Sequence, residues 1–191
     1  GSFNNFAKVT DETLLLWRGI LESVHGAKLV IKGKIASIDS GLHFAKKRLS
    51  ILNYDLSRVE FRPFSPDHLE QYRDIDIALD TAPYNGGLTT CEALYMGVPV
   101  IVLRGRTHGA RLGASILTNA GVRELVAEND INYVRRAVQL AESPKLIDAY
   151  HAGLRTNMKT FPLMNTKTYM EELETAYQEI WKKFCMSRPV S

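Results

Sequence analysis

The sequence is poor in cysteine: Cys91 and Cys185 are the only two among 191 residues. Two thiols cannot staple a scaffold, and no Cys/His cluster has the spacing of a zinc site. Such scarcity suits a reducing compartment, so a cytoplasmic protein is expected. Long apolar runs are missing as well. The longest, Val98 to Leu103, falls far short of the ~18–20 residues that cross a membrane. No secretory apolar stretch opens the sequence. Neither sign of charge dominates, since 24 basic and 21 acidic residues leave a net +3. That excess does not call for nucleic acid, yet it suits a small polyanion such as a diphosphate. Internal repeats and low-complexity linkers are absent. So are H-E-x-x-H, the G-x-S-x-G nucleophile elbow, the dinucleotide G-x-G-x-x-G and the P-loop, which argues against zinc proteases, serine hydrolases, nicotinamide enzymes and P-loop NTPases.

What is present is an ordinary globular composition, 45% hydrophobic and 24% charged, with apolar bursts alternating with amphipathic stretches. Ala27–Ile31, Val59–Phe64, Ile75–Leu79 and Val98–Leu103 read as short buried strands, and residues 3–6 as a further one. Helices are predicted over residues 11–24, where Thr10 is the N-cap and Leu14, Leu15, Trp17, Ile20, Leu21 and Val24 share a face, and over 40–52, 66–73, 88–96 and 109–120. Strand–helix–strand alternation with short connections predicts an α/β fold, a Rossmann-like doubly wound parallel sheet. The chain reads as a single domain with this core over 1–127 and C-terminal helices over 128–191. After Gly121 only helical patterns are evident. The stripe Leu173, Ala176, Tyr177, Ile180, Trp181 and Phe184 reads as a helix packed on the domain's own sheet, with docking on a partner domain as the alternative.

The segment from Asp80 to Pro99 carries the chemistry. A strand ends near Asp80, a loop with Asn85, Gly86 and Gly87 follows, and a helix opens at Leu88-Thr89-Thr90. Adjacent glycines let a backbone approach a ligand closely, and a helix N-terminus offers free N–H groups with a positive dipole end. At the carboxyl end of a parallel strand this makes a diphosphate cradle. Glu92, placed in the first turn, can accept hydrogen bonds from a ribose diol. The same residues also fit an ordinary turn and an ordinary first-turn acid. Asp74, Asp76 and Asp80 read as strand-end caps.

Four segments in order resemble one family. Asn85-Gly-Gly-Leu-Thr-Thr-Cys-Glu-Ala-Leu-Tyr-Met-Gly-Val-Pro is similar to the sugar-nucleotide loop in the C-terminal half of GT-B glycosyltransferases, most of all the O-GlcNAc transferase family and its bacterial relatives with tetratricopeptide repeats. Phe3-Asn4-Asn5-Phe6-Ala7-Lys8 resembles the opening motif of that half. The stretches Arg104 to Leu117 and Phe161 to Trp181 resemble its later signatures. The resemblance implies that Lys8 is the catalytic residue, contacting the UDP diphosphate and stabilising the leaving group. It implies that Asn5 lies near the diphosphate, that Ser65 and His68 hold the base and ribose, that Gly87, Leu88, Thr89 and Thr90 cradle the diphosphate, and that Glu92 takes the ribose hydroxyls. Gln71 stands where the animal enzymes carry Arg. The implied reaction is inverting transfer of a sugar, GlcNAc first among them, from a UDP-sugar to a protein Ser or Thr. No metal or cofactor is expected, and the acceptor binds through an N-terminal half outside this sequence. The competing readings are a glycolipid glycosyltransferase or UDP-sugar 2-epimerase on the same half-fold, and a non-catalytic interaction module.

Overall fold

In the computed structural model, which describes residues 1–187, the strands are β1 (Leu29–Lys32), β2 (Val59–Arg62), β3 (Ala78–Leu79), β4 (Val100–Leu103) and β5 (Val126–Ala127). All pair in parallel, β1 with β2 in the register Leu29↔Val59, β3 with β4 as Ala78↔Val100, and β4 with β5 as Val102↔Val126. Residues 1–4 close the gap between the two groups. Ser2 forms a parallel bridge with Ile31, donating to the Val30 carbonyl at 2.8 Å and accepting from Lys32 at 3.0 Å, while the Leu79 N–H donates to the Gly1 carbonyl at 2.8 Å. The strand order, counted along the chain with residues 1–4 first, is therefore 3-2-1-4-5-6. This doubly wound order reverses between residues 1–4 and β3, and ligands bind in the crevice outside the strand ends at such a reversal.

The first strand thus lies earlier than residues 3–6. It ends at Asn4 because the Asn5 side chain accepts from the Ala7 N–H and turns residues 6–8 into a 3-10 helix. β5 has no counterpart in the sequence reading, since two residues are too few to show an alternation. Residues 66–73 form a turn and a 3-10 helix at Glu70–Tyr72 instead of an α-helix, because the Glu70 N–H returns to the Asp67 carbonyl three residues back.

Seven α-helices accompany the sheet among the described residues: α1 (Asp11–Ser23), α2 (Asp39–Ile51), α3 (Leu88–Tyr95), α4 (Leu112–Asn119), α5 (Asp130–Ala141), α6 (Pro144–Thr160) and α7 (Thr166–Ser187). Thr10 caps α1 by accepting from the Thr13 N–H, and Leu14, Trp17, Ile20 and Leu21 go inward. Leu15, expected inside, is 44% exposed. α3 ends at Gly97, whose φ of +86° lets the Val98 N–H return to the Ala93 carbonyl at 2.8 Å. α5 and α6 add Tyr133, Ala137, Leu140, Ile147, Leu154 and Met158 to the same core that covers the sheet.

One chain of hydrogen bonds crosses that core toward the crevice. Trp17 Nε1 donates to the Tyr133 hydroxyl at 3.1 Å, and that hydroxyl donates to the Asp80 carbonyl at 2.8 Å. It ties α1 and α5 to the carboxyl end of β3. α7 behaves differently. It buries no residue, and Tyr177, Ile180 and Trp181 are 63%, 62% and 65% exposed. The expected packing of its stripe on the domain's own sheet is overturned, because the core already closes on α5 and α6.

Candidate functional site

The crevice floor is built around Asp80, which follows β3 and is 2% exposed. Its Oδ1 accepts from the Gly86 N–H at 2.7 Å, the Thr81 N–H at 2.8 Å and Asn4 Nδ2 at 3.3 Å. Thr89 Oγ1 in turn donates to Asn4 Oδ1 at 3.0 Å. One carboxylate thereby joins the first strand, the glycine loop and the start of α3. Fully buried Asn85 locks the loop from the other side, with its Nδ2 on the Thr81 carbonyl and its Oδ1 accepting from the Gly113 N–H. Asp80 acts as the hub of the loop, a role that its reading as a strand-end cap understates. The signal available in the sequence was its position five residues before an Asn-Gly-Gly.

Burial pushes the Asp80 carboxyl up from the usual 3.8 to about 6, against the pull of its three hydrogen bonds and of Lys8. Between about pH 4 and pH 6 the folded state then keeps a proton that the unfolded chain has released. This contribution to stability is complete below pH 4 and lost as pH rises through 6. Asp80→Asn retains the Oδ1 acceptor and cannot titrate. Urea melts at pH 4, 5 and 6 should show wild-type stability falling relative to the variant as pH rises, by up to about 1.4 kcal/mol per pH unit. Parallel curves would disprove the assignment.

The loop delivers three free donors. The Gly86 N–H is already spent on Asp80, and the Thr90 N–H donates to the Gly87 carbonyl at 3.1 Å. Among the described residues nothing accepts from the backbone N–H groups of Gly87, Leu88 or Thr89, which open α3 with Gly87 as N-cap. Thr90 is 3% exposed and beneath the loop, whereas Leu88 is 74% exposed at the lip. Lys8 faces this loop from the first strand's end. Its Nζ donates to the Asn85 carbonyl at 3.1 Å and sits 4.2 Å over the Tyr84 ring. Partial burial lowers its pKa, and nearby Asp80 opposes the shift. Asn5 does not reach the floor. It is exposed and caps its own 3-10 helix, so the amide in the crevice belongs to Asn4.

The other end of the crevice holds Glu92 and His68. Glu92 Oε1 lies 3.0 Å from His68 Nε2, with the two side chains 19% and 37% accessible. His68 Nδ1 is 3.4 Å from the Pro66 carbonyl, which orients the ring. Ser65 shapes this turn, its Oγ accepting from the Asp67 N–H at 3.3 Å. Glu92 is the fifth residue of α3 and not in its first turn, since the helix starts at Leu88. A helix-dipole role falls off within the first turn; the side chain's place is the crevice. The structure therefore sets Lys8 against the loop that presents Gly87, Leu88 and Thr89, and His68 against Glu92 on the helix that this loop opens. Asp74, by contrast, is paired with Arg62 at 2.6 Å.

Residues 1–173 match the model of glycosyl transferase family 41. The chain is 40% identical over 188 residues to the probable UDP-N-acetylglucosamine–peptide N-acetylglucosaminyltransferase SPINDLY of Arabidopsis thaliana, covering 97% of this chain and 21% of that protein. It is 26% identical over 191 residues to the Caenorhabditis elegans UDP-N-acetylglucosamine–peptide N-acetylglucosaminyltransferase, covering 99% of this chain and 16% of that protein. It thus spans about a fifth of the length of the curated relatives it matches. A mutant Thermobaculum terrenum O-GlcNAc transferase superposes with a TM-score of 0.91 at 31% identity, over 98% of this chain and 36% of that one. S. aureus TarM, 15% identical over 86% of this chain and 32% of its own, shares the fold at a TM-score of 0.60. The strand order, the glycine loop and these similarities converge on one assignment: the chain belongs to glycosyl transferase family 41.

Proposed function

We propose that this chain is the sugar-donor-binding half of an inverting glycosyltransferase that moves GlcNAc from UDP-GlcNAc to a protein Ser or Thr. The relatives' names supply the sugar nucleotide and the peptide acceptor. The observation that carries the reading to this chain is the order of groups along the crevice. Lys8 and three free N–H groups stand at one end, Glu92 with His68 at the other. That order matches a nucleoside diphosphate laid across the strand ends, with the diphosphate over the loop and the ribose at Glu92. As the glycosidic bond breaks, negative charge grows on the β-phosphate. An ammonium and aligned backbone N–H groups stabilise that charge without reorganising. In this reading Lys8 and the loop do the work of a metal ion, and none is required. Activation of the acceptor hydroxyl falls to the part of the protein outside this chain. No described helix is long and apolar enough to cross a membrane.

Calorimetry with UDP and uridine tests the reading. The chain should bind UDP and, alone, transfer no sugar to peptide. Lys8→Ala should weaken UDP by about tenfold or more, the loss of a charged hydrogen bond, and leave uridine nearly unchanged. Equal losses for both ligands would remove Lys8 from the diphosphate. An epimerase would instead invert the sugar of UDP-GlcNAc with no acceptor present.

A further inference from the structure

A groove between α4 and β5 carries charged groups that the donor site does not use. It encloses about 500 Å³, and Arg104, His108, Arg111, Arg123 and Glu128 line it. Three guanidinium groups thus face one carboxylate. Arg104 holds that carboxylate loosely, at 3.5 Å. Among the described residues the side chains of Arg111 and Arg123 have no ion pair and no hydrogen bond. Apolar walls, here Leu112, Ala114 and Val126, focus the field of such charges into the cleft. A guanidinium also presents a planar fork that fits a carboxylate with two parallel hydrogen bonds. Charge is sorted by sign across the Arg104–Glu128 pair. The cavity on its other side, of about 510 Å³, adds Glu12 and Asp130. An incoming acid is therefore drawn to the α4 side and repelled from the other.

The place of the groove in the sheet says what meets it. The turn with His68 follows β2, the glycine loop follows β3, and Arg104 follows β4. Ribose end, diphosphate loop and basic groove therefore succeed one another in strand order. Loop and groove are in direct contact. The Asn85 N–H donates to the Gly109 carbonyl at 3.2 Å, and Asn85 Oδ1 accepts from the Gly113 N–H at 3.3 Å. The sugar leaves from the side of the diphosphate away from the ribose, so the acceptor hydroxyl arrives on the groove's side. Neighbouring strands lie about 4.8 Å apart, and an extended chain advances about 3.3 Å per residue. One to two strands beyond the loop then corresponds to about two or three residues of an acceptor chain.

Resting on the proposed donor site, we infer that this groove docks an acidic stretch of the acceptor protein. A Glu or Asp about two or three residues from the receiving Ser or Thr pairs with Arg111 and Arg123. The two arginines select the acceptor by its flank and take no part in breaking the glycosidic bond.

The test titrates the 191-residue chain with two serine peptides and follows binding by NMR. One peptide has Glu two and three residues from the serine on both sides; the other has Gln at the same places. Wild type should bind the Glu peptide about fivefold or more tightly, and the preference should shrink as salt rises. Arg111→Gln and Arg123→Gln change exposed side chains that hold nothing in the fold. Each should weaken the Glu peptide by about threefold or more, leave the Gln peptide alone and keep UDP affinity within about twofold. Saturating UDP should not displace the Glu peptide. Equal affinity for the two peptides, or binding of neither, overturns the inference while UDP binding upholds the donor site. Competition between UDP and the Glu peptide overturns it too, since the acids would then sit on the diphosphate loop. A chain that fails to bind UDP defeats the donor-site reading itself, and the acceptor assignment falls with it.

Discussion

Glu92→Gln should raise the Kd for UDP by roughly 10- to 150-fold, the cost of about 1.5–3 kcal/mol for a lost charged hydrogen bond. The variant keeps the side chain's shape and replaces one acceptor with a donor, so both ribose hydroxyls cannot be served. Stability should change little. Glu92 lies beyond the first turn of α3, where the dipole has faded, and its pairing with His68 is partly open to solvent. The sharper measurement is a cycle between Glu92→Gln and removal of the 2′-hydroxyl. 2′-Deoxy-UDP should lose much less on mutation than UDP does, since part of the interaction is already gone. A folded variant with zero coupling would take Glu92 out of the ribose site. A large loss of stability with unchanged binding would return it to a structural role.

How much of this was readable beforehand depends on the range over which each residue acts. Val and Ile runs bounded by turns marked β1, β2 and β4, because burial on both faces leaves a local trace. The glycine loop was legible for the same reason: Gly86, Gly87 and the start of α3 are neighbours in the chain. What went unread depends on partners far away. The hub role of Asp80 needs Asn4, 76 residues distant, and the core bonds of Trp17 and Tyr133. Asn5 rather than Asn4 drew attention because a motif compares positions, while the backbone turn decides which amide faces inward. The stripe on α7 illustrates the converse limit. An apolar periodicity establishes that a face prefers burial and is silent about what covers it, and here the domain's own sheet does not.

The two glycines of the cradle should respond very differently to the addition of one methyl group. A Cβ on Gly86 would stand 2.5 Å from Thr90 Oγ1, 2.8 Å from Thr89 Oγ1 and 2.9 Å from Asn4 Oδ1. Relief requires moving the loop away from Asp80, which breaks the 2.7 Å bond from the Gly86 N–H and uncouples Asn4 from Thr89. Gly86→Ala is therefore expected to cost about 1–3 kcal/mol in stability, the usual range for overpacking. It should also weaken UDP by roughly 100-fold, since Lys8 and the three free N–H groups no longer converge on one diphosphate. Uridine, held at the Glu92 end, should lose less than about threefold. A Cβ on Gly87 meets only Leu112 Cδ2 at 3.3 Å, the end of a flexible side chain. Gly87→Ala should accordingly stay within about 1 kcal/mol of wild type and keep UDP affinity within about fivefold. Calorimetry and thermal melting on both variants read the contrast directly. If Gly86→Ala binds UDP as wild type does, the loop is not the diphosphate cradle, because its geometry would then be irrelevant to the ligand. If both variants lose UDP equally, the free N–H of Gly87 outweighs the Asp80 anchor, and the balance between anchor and donor must be drawn the other way.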